Sequence, residues 1–398
     1  MAAQRVTMRE WLAVACMGAT AFVFNTSEFM PIGLLVDIAA SFNITEAAAG
    51  TLITAYAWAV CILSLPLMVL VSRFNFRPLL LGVVALFALG QVCSSLAVGY
   101  WTLLFSRLIV ACSHAIFWSI ISPIAVQVVA PQNRSMALSG VVTGSAVAQI
   151  LGLPLGRVVG LALGWRMSFA CIAAVAIVVI VLLAILIPKL APSEPFRIAQ
   201  LPGLFANKVL LGIFIATAVM ATAYYTGYSY IEPFMQQMGG FSDEAITMAL
   251  MVFGVAGICG SLLFARVYEG QRRRFWFIRI ALAGISVALA LMLPAMCSSI
   301  AAYAVCVLWG ICATAFNVAF QSEILRYTPH NASAVAMSIF SGIFNLGIGS
   351  GSAIGGLVVT HAGMGYVGLT GSAIGIVAVL VACVLLIPAM PTTPAAGN

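Results

Sequence analysis

Charge is what this sequence has least of: Asp, Glu, Lys and Arg together make up 7% of 398 residues, with ten acids and three histidines. The ten acids form no D-x-D pair and the histidines no H-x-x-H spacing. Both patterns are what an enzyme site built around a metal or phosphate would use, so the sequence argues against an enzyme. Ten cysteines are present without a C-x-x-C pair or a histidine at ligand spacing. They lie mostly inside apolar runs and read as small buried packers. No re-entrant or filter-like segment stands out, which argues against a channel. The first apolar run is too long for a signal-peptide core and lacks a small-residue cleavage site, so it is expected to be retained.

What fills the chain instead is hydrocarbon. The sequence is 63% hydrophobic, with a mean hydropathy of +1.15, a composition that places it in a membrane. Twelve spans are predicted: Trp11–Leu35, Ala47–Val71, Leu79–Val98, Trp101–Val126, Met136–Leu163, Phe169–Ile187, Val209–Ile231, Ala245–Val267, Phe275–Met296, Ile300–Phe320, Ala332–Val359 and Tyr366–Ile387. With both termini in the cytoplasm, fourteen of the seventeen basic residues fall on the inside, as the positive-inside rule asks. Position also removes nucleic acid as a reading of the +7 net charge. The triplet Arg272, Arg273, Arg274 beside Phe275 and Trp276 reads as a lipid-headgroup anchor.

The one long polar connection inside the chain, Pro188 to Lys208, divides it into an N-terminal six-helix bundle (1–187), a cytoplasmic linker (188–208) and a C-terminal six-helix bundle (209–398). A weak internal echo supports two related halves. Glu28 and Pro31 end the first helix before Asn43 and Thr45, and Glu232 and Pro233 end the seventh before Ser242. Thr45 and Ser242 both read as helix N-caps. The expected fold is therefore an all-α polytopic membrane protein with two pseudo-symmetric halves. Six helices plus six with a repeat is a transporter architecture, with its site near the midplane.

The polar groups inside the spans mark candidates for that site. A charge at a helix centre costs about 2.5–3.5 kcal/mol on insertion scales, so Glu28 is expected to be protonated, paired or facing a wet cavity. A helical rise of ~1.5 Å per residue puts it about 10 Å inside the far boundary. Arg107 and His114, seven apart, share a face of span four, with Arg107 at the depth of Glu28. Two readings follow, a static Glu28–Arg107 ion pair or a titrating pair of Glu28 and His114 in a cavity that water reaches from alternate sides. Arg157 competes for Glu28, and spacing does not choose between the arginines. Amides at Asn25, Asn317, Gln321 and Asn345 offer donors and acceptors to a solute, and rings at Trp58, Trp118, Tyr224 and Tyr228 offer apolar faces. Glu232, at a helix end, reads as solvated. Glycines after Phe340 and after Leu151, the latter run with Pro154, Gly156 and Arg157, read as packing and hinge surfaces.

At these residues the chain resembles the drug-proton antiporter branch of the major facilitator superfamily. PLMVLVSRFNFRPLLL, from Pro66, is similar to the family's loop 2–3 signature, with Arg73 and Arg77 in its basic places. Ser72, Asn75 and Phe76 depart from it, so the aspartate latch of that signature is missing or replaced. Arg107 matches the family's helix-four arginine, and Gly140 and Pro154 fall in register with its helix-five antiporter signature. NTSEFMPIGLL, HAIFWSI, LGLPLGRVVG with GWRM, YSYIEPF and FSGIFN with GIG resemble bacterial sugar efflux transporters. The resemblance implies efflux of arabinose, lactose-type sugars and isopropyl thiogalactoside, driven by the proton motive force without a cofactor. It also implies a bacterial inner membrane, a monomer, and partners limited to sugar, protons and lipid. The alternative within transporters is an exporter of amphipathic drugs.

Overall fold

The computed structural model describes residues 7–71, 74–130, 133–188, 190, 201–268, 271–328 and 332–390. Among the described residues, twelve helices are long and apolar enough to cross a membrane: α1 (Met8–Phe42), α2 (Glu46–Met68), α3 (Phe76–Ser95), α4 (Tyr100–Val128), α5 (Met136–Leu163), α6 (Trp165–Leu186), α7 (Lys208–Tyr228), α8 (Asp243–Val267), α9 (Arg272–Leu291), α10 (Ser299–Tyr327), α11 (Val335–His361) and α12 (Met364–Ala389). Lipid offers no partners to N–H and C=O groups, so each crossing segment satisfies its own backbone by coiling. Outward faces are apolar to match. On α6, Val175, Ile177, Val178, Val181, Leu182 and Ile185 are all exposed.

The chain divides into two compact units, Met1–Ile44 with Ala59–Phe196, and Thr45–Trp58 with Arg197–Asn398. In the first unit α1 packs on α5 and α6, and α3 packs on α4 and α6. In the second, α7 packs on α11 and α12, and α9 on α10 and α12. The pattern is the same one shifted by six helices, the structural form of an internal repeat. The first half of α2 makes its contacts within the second unit. There Gln237 donates to Glu46 (3.0 Å), Ser352 to the Gly50 carbonyl (3.1 Å), and the Trp58 indole to Ser350 (3.4 Å).

The turns repeat as well. The short helix Leu35–Phe42 ends on Asn43, whose φ is 52°, and the short helix Ile231–Gly239 ends on Gly240, whose φ is 60°. Two residues later Thr45 caps the Ala48 N–H (3.1 Å) and Ser242 caps the Ala245 N–H (3.4 Å). Each half thus stops a helix with a left-handed residue and starts the next with a hydroxyl cap.

One boundary differs from the sequence reading in a way that matters for the site. The first α-helix does end between Glu28 and Pro31, at Phe29, but the span does not. After the helix Met8–Phe29 the backbone tightens into a 3-10 segment, Met30–Leu34, and resumes as a helix to Phe42. Glu28 therefore lies fourteen residues short of the end of this 35-residue stretch, about 21 Å at helical rise.

The small-residue stretches do bring helices together. A methyl group on Gly351 of α11 would stand 2.5 Å from the Thr222 carbonyl oxygen of α7, so only glycine permits this approach. Of the ten free cysteines, Cys16, Cys306 and Cys312 are buried, while Cys171, Cys259 and Cys297 are exposed. The packer reading holds for the first three and fails for the last three.

Candidate functional site

The site in the first unit begins with a proline. Pro31 has no N–H, so the carbonyl it would bond in an α-helix, that of Ser27 four residues earlier, loses its intrahelical donor. Arg107 of α4 supplies one. Its Nη2 donates to the Ser27 carbonyl oxygen (2.9 Å) and its Nη1 to Ser27 Oγ (3.0 Å), and Gln91 of α3 donates to the same hydroxyl. Arg157 of α5, fully buried, does the same further along and donates to the Gly33 carbonyl oxygen (2.7 Å). Both arginines are fastened to the broken stretch of α1. Arg107 also lies 5.7 Å from the Phe169 ring centroid and within electrostatic range of Glu28 and His114.

Glu28 is 9% exposed and His114 is 1% exposed, and Glu28 Oε2 lies 3.5 Å from His114 Nε2. Trp118, one turn on from His114, donates its indole N–H to that same nitrogen at 2.8 Å. An Nε2 that accepts carries a lone pair, so in this arrangement the imidazole is neutral with its proton on Nδ1. Phe24, stacked between Phe87 and Phe117, closes the apolar side, its ring centroid 6.0 Å from that of His114. Asn25 donates to Ser145 of α5. Glu28, His114 and Arg107 lie together, joined by Trp118, which the sequence offered only as a ring for a solute, while the contact of Asn25 is with α5. Ser27 and Gln91 belong to the same cluster and were missed. The proline four residues after Ser27 was the available signal.

Of the motif residues, Arg77 donates to the Ala184 carbonyl oxygen in the last turn of α6 (2.6 Å), where unsatisfied carbonyls favour a cation. Arg73 lies outside the described residues. Pro154 and Gly156 follow a π-helical turn, Ala148–Gly152, in α5, and the face of Gly156 rests against Met30 of α1.

In the second unit, Tyr224 and Tyr228 stack at 4.9 Å and both meet the edge-on ring of Trp309 (5.4 and 5.6 Å), with Phe253 5.0 Å from Tyr228. The tyrosine stripe is part of an aromatic cluster, and Trp309 and Phe253 are members that its spacing did not reveal. Gln321 donates to Asn317 Oδ1, so these two amides partly satisfy each other. Asn345 is 5% exposed. Its amide nitrogen donates to the Ser341 carbonyl oxygen (3.1 Å), while its Oδ1 has no hydrogen-bond partner among the described residues. Trp309 Nε1, also buried, has none either. Glu232 is 2% exposed, so the solvated reading of this acid is wrong.

The basic triplet also needs correction. Arg274 is not a headgroup anchor: it is buried, with Nε on Glu323 Oε1 (2.9 Å) and Nη2 on Glu323 Oε2. Tyr268 donates to Glu323 Oε1 (2.7 Å), and Arg274 also reaches the Tyr327 hydroxyl (3.3 Å). Burial first, then the Glu323 charge, push the Tyr268 phenol above the ordinary tyrosine range, so it remains a donor.

The sequence pattern of the Major Facilitator Superfamily matches residues 17–340. Among solved structures, the human organic anion transporter MFSD10 (TETRAN) superposes with a TM-score of 0.70 at 16% identity, over 94% of this chain and 99% of that one. A bacterial homologue of the human lysosomal transporter Spinster, captured in an inward-facing and occupied conformation, gives 0.73 at 17% identity, over 97% and 99%. At these identities the likeness is one of fold.

Proposed function

The chain belongs to the Major Facilitator Superfamily, and from that premise we propose that it exports sugars across a bacterial inner membrane in exchange for protons, by alternating access. The observation that carries the reading is the buried Glu28–His114 pair, 3.5 Å apart. A carboxyl and an imidazole at that distance inside an apolar span are groups that can hold and pass a proton. Trp118 enters because its N–H occupies the His114 lone pair that a proton shared with Glu28 would need. The proton and the Trp118 N–H compete for that lone pair, so a solute that holds Trp118 against His114 keeps the proton off, and solute and proton exchange through one ring. One proton moving down one pH unit and ~100 mV releases roughly 1.4 plus 2.3 kcal/mol, enough for several-hundredfold accumulation of a neutral solute.

Sugar is favoured because its hydroxyls must exchange water for fixed partners. Asn345 Oδ1 is a buried acceptor and Trp309 Nε1 a buried donor, both without protein partners among the described residues. Leaving such a group unmet costs about 1–3 kcal/mol, which a ligand hydroxyl would recover. The stretches NTSEFMPIGLL and YSYIEPF, similar to the bacterial sugar efflux transporter B, support the same substrate class. The second reading, an exporter of amphipathic drugs, draws on the cluster of Tyr224, Tyr228, Phe253 and Trp309. Efflux of labelled arabinose beside an ethidium-type dye in one vesicle preparation separates the two. Asn345→Leu, which keeps volume but removes donor and acceptor, is expected to weaken sugar binding about tenfold, at ~1.4 kcal/mol per decade, while dye transport survives. Unchanged affinity by calorimetry in both Asn345→Leu and Asn317→Leu would favour the drug reading.

The charge distribution supports cytoplasmic termini. Reporters at Ala3 and Ala396 are expected inside and one at Gly240 outside, and a periplasmic signal from Ala396 would reverse the orientation.

A further inference from the structure

Helices α8 and α9 each pack along α10 but scarcely touch one another. The furrow between them has a volume of about 450 Å³ and is walled by Leu263, Ile280 and Ile311, with Arg272, Arg273 and Trp276 at one end. Its rim faces outward: Leu263, Trp276 and Ile280 are 46, 52 and 63% exposed.

The charges at that end are unusual for where they stand. The first turn of α9 carries three arginines and no acid, although the N-terminus of a helix already bears partial positive charge and disfavours cations. Glu323 answers one of the three by pairing with buried Arg274. Arg272 and Arg273 are exposed and turned to the furrow. Two guanidiniums and a helix N-terminus at the mouth of an apolar trough match a ligand with an anionic head and a hydrocarbon tail. Arginine pairs suit a phosphodiester because their planar forks meet its oxygens two at a time. The indole of Trp276 marks this end as the level of the headgroups.

We propose that this furrow is a binding site for an anionic phospholipid, its phosphodiester on Arg272 and Arg273 and one acyl chain along Leu263, Ile280 and Ile311. The site holds a lipid whatever solute the protein carries, and its occupancy would tie α8 to α9 across the gap they leave.

The test is native mass spectrometry of the full-length protein in detergent, titrated with dioleoyl phosphatidylglycerol or dioleoyl phosphatidylcholine. Arg272→Gln with Arg273→Gln, both at exposed positions, is expected to raise the Kd for phosphatidylglycerol about tenfold and leave phosphatidylcholine unchanged. Arg134→Gln with Lys208→Gln makes the same charge change at other exposed positions and is expected to shift that Kd less than about twofold. Ile280→Glu, which puts a carboxylate in the acyl trough, is expected to weaken phosphatidylglycerol as well. The proposal is overturned if the arginine pair leaves the Kd unchanged, if the control pair weakens binding equally, or if wild type binds both lipids alike. Displacement of the lipid by millimolar inorganic phosphate would also overturn it, in favour of a small-anion site.

Discussion

Glu28→Gln is expected to abolish pH-driven uptake of sugar into inverted vesicles and to leave substrate counterflow intact. The substitution keeps the size of the side chain and its capacity for hydrogen bonds but removes the group that titrates. It leaves the neighbouring frame alone, because Arg107 is held by Ser27 and Arg157 by Gly33. Conformational exchange, which counterflow reports, therefore persists, while the link to the proton gradient is cut. His114→Ala acts differently. It removes the acceptor for the Trp118 N–H and the ring beside Phe24, so counterflow and pH-driven uptake should both suffer. Accumulation of substrate against a gradient by Glu28→Gln protein would remove Glu28 from the coupling role.

The second large effect is on stability. Glu323 is fully buried and accepts from Arg274 and Tyr268. Glu323→Leu would leave a buried guanidinium without its anion and a phenol without its acceptor. Losing one partner of a buried pair costs about 3–5 kcal/mol, and Arg274, close to the start of α9, should fall at about 3 kcal/mol because its head can turn toward water. The thermal midpoint in detergent should drop by several degrees. Adding Arg274→Met to Glu323→Leu should restore most of the loss, since no orphaned charge remains. If the double variant were as unstable as the single one, the pair would not be what holds these helix ends.

The spans were legible because hydropathy and length are properties of consecutive residues, and lipid leaves a crossing segment no alternative to a helix. Glu28, Arg107 and His114 were legible for the same reason, as ionisable groups within uncharged runs. Contacts between distant positions were not. Arg274 and Glu323 are forty-nine residues apart, and no local spacing announces their pairing, so a basic triplet beside aromatics read as a surface feature. Gln91 escaped notice because its partner, Ser27, is sixty-four positions away, beyond any local spacing. The α-helix does stop between Glu28 and Pro31, but the end of the span was misjudged, because the 3-10 segment after it resumes as a helix to Phe42 and no local signal announces that continuation.

That passage bears on how the sequence can drift. Pro31 and Arg107 stand seventy-six positions apart, yet one withholds the donor that the other delivers to the Ser27 carbonyl. A lineage that replaced the proline would regain the N–H and relax the demand on the arginine, whereas loss of the arginine alone would strand a carbonyl in hydrocarbon. The order of substitutions is therefore constrained: the proline must go first. Related chains that lack one of this pair should be found to lack the proline far more often than the arginine.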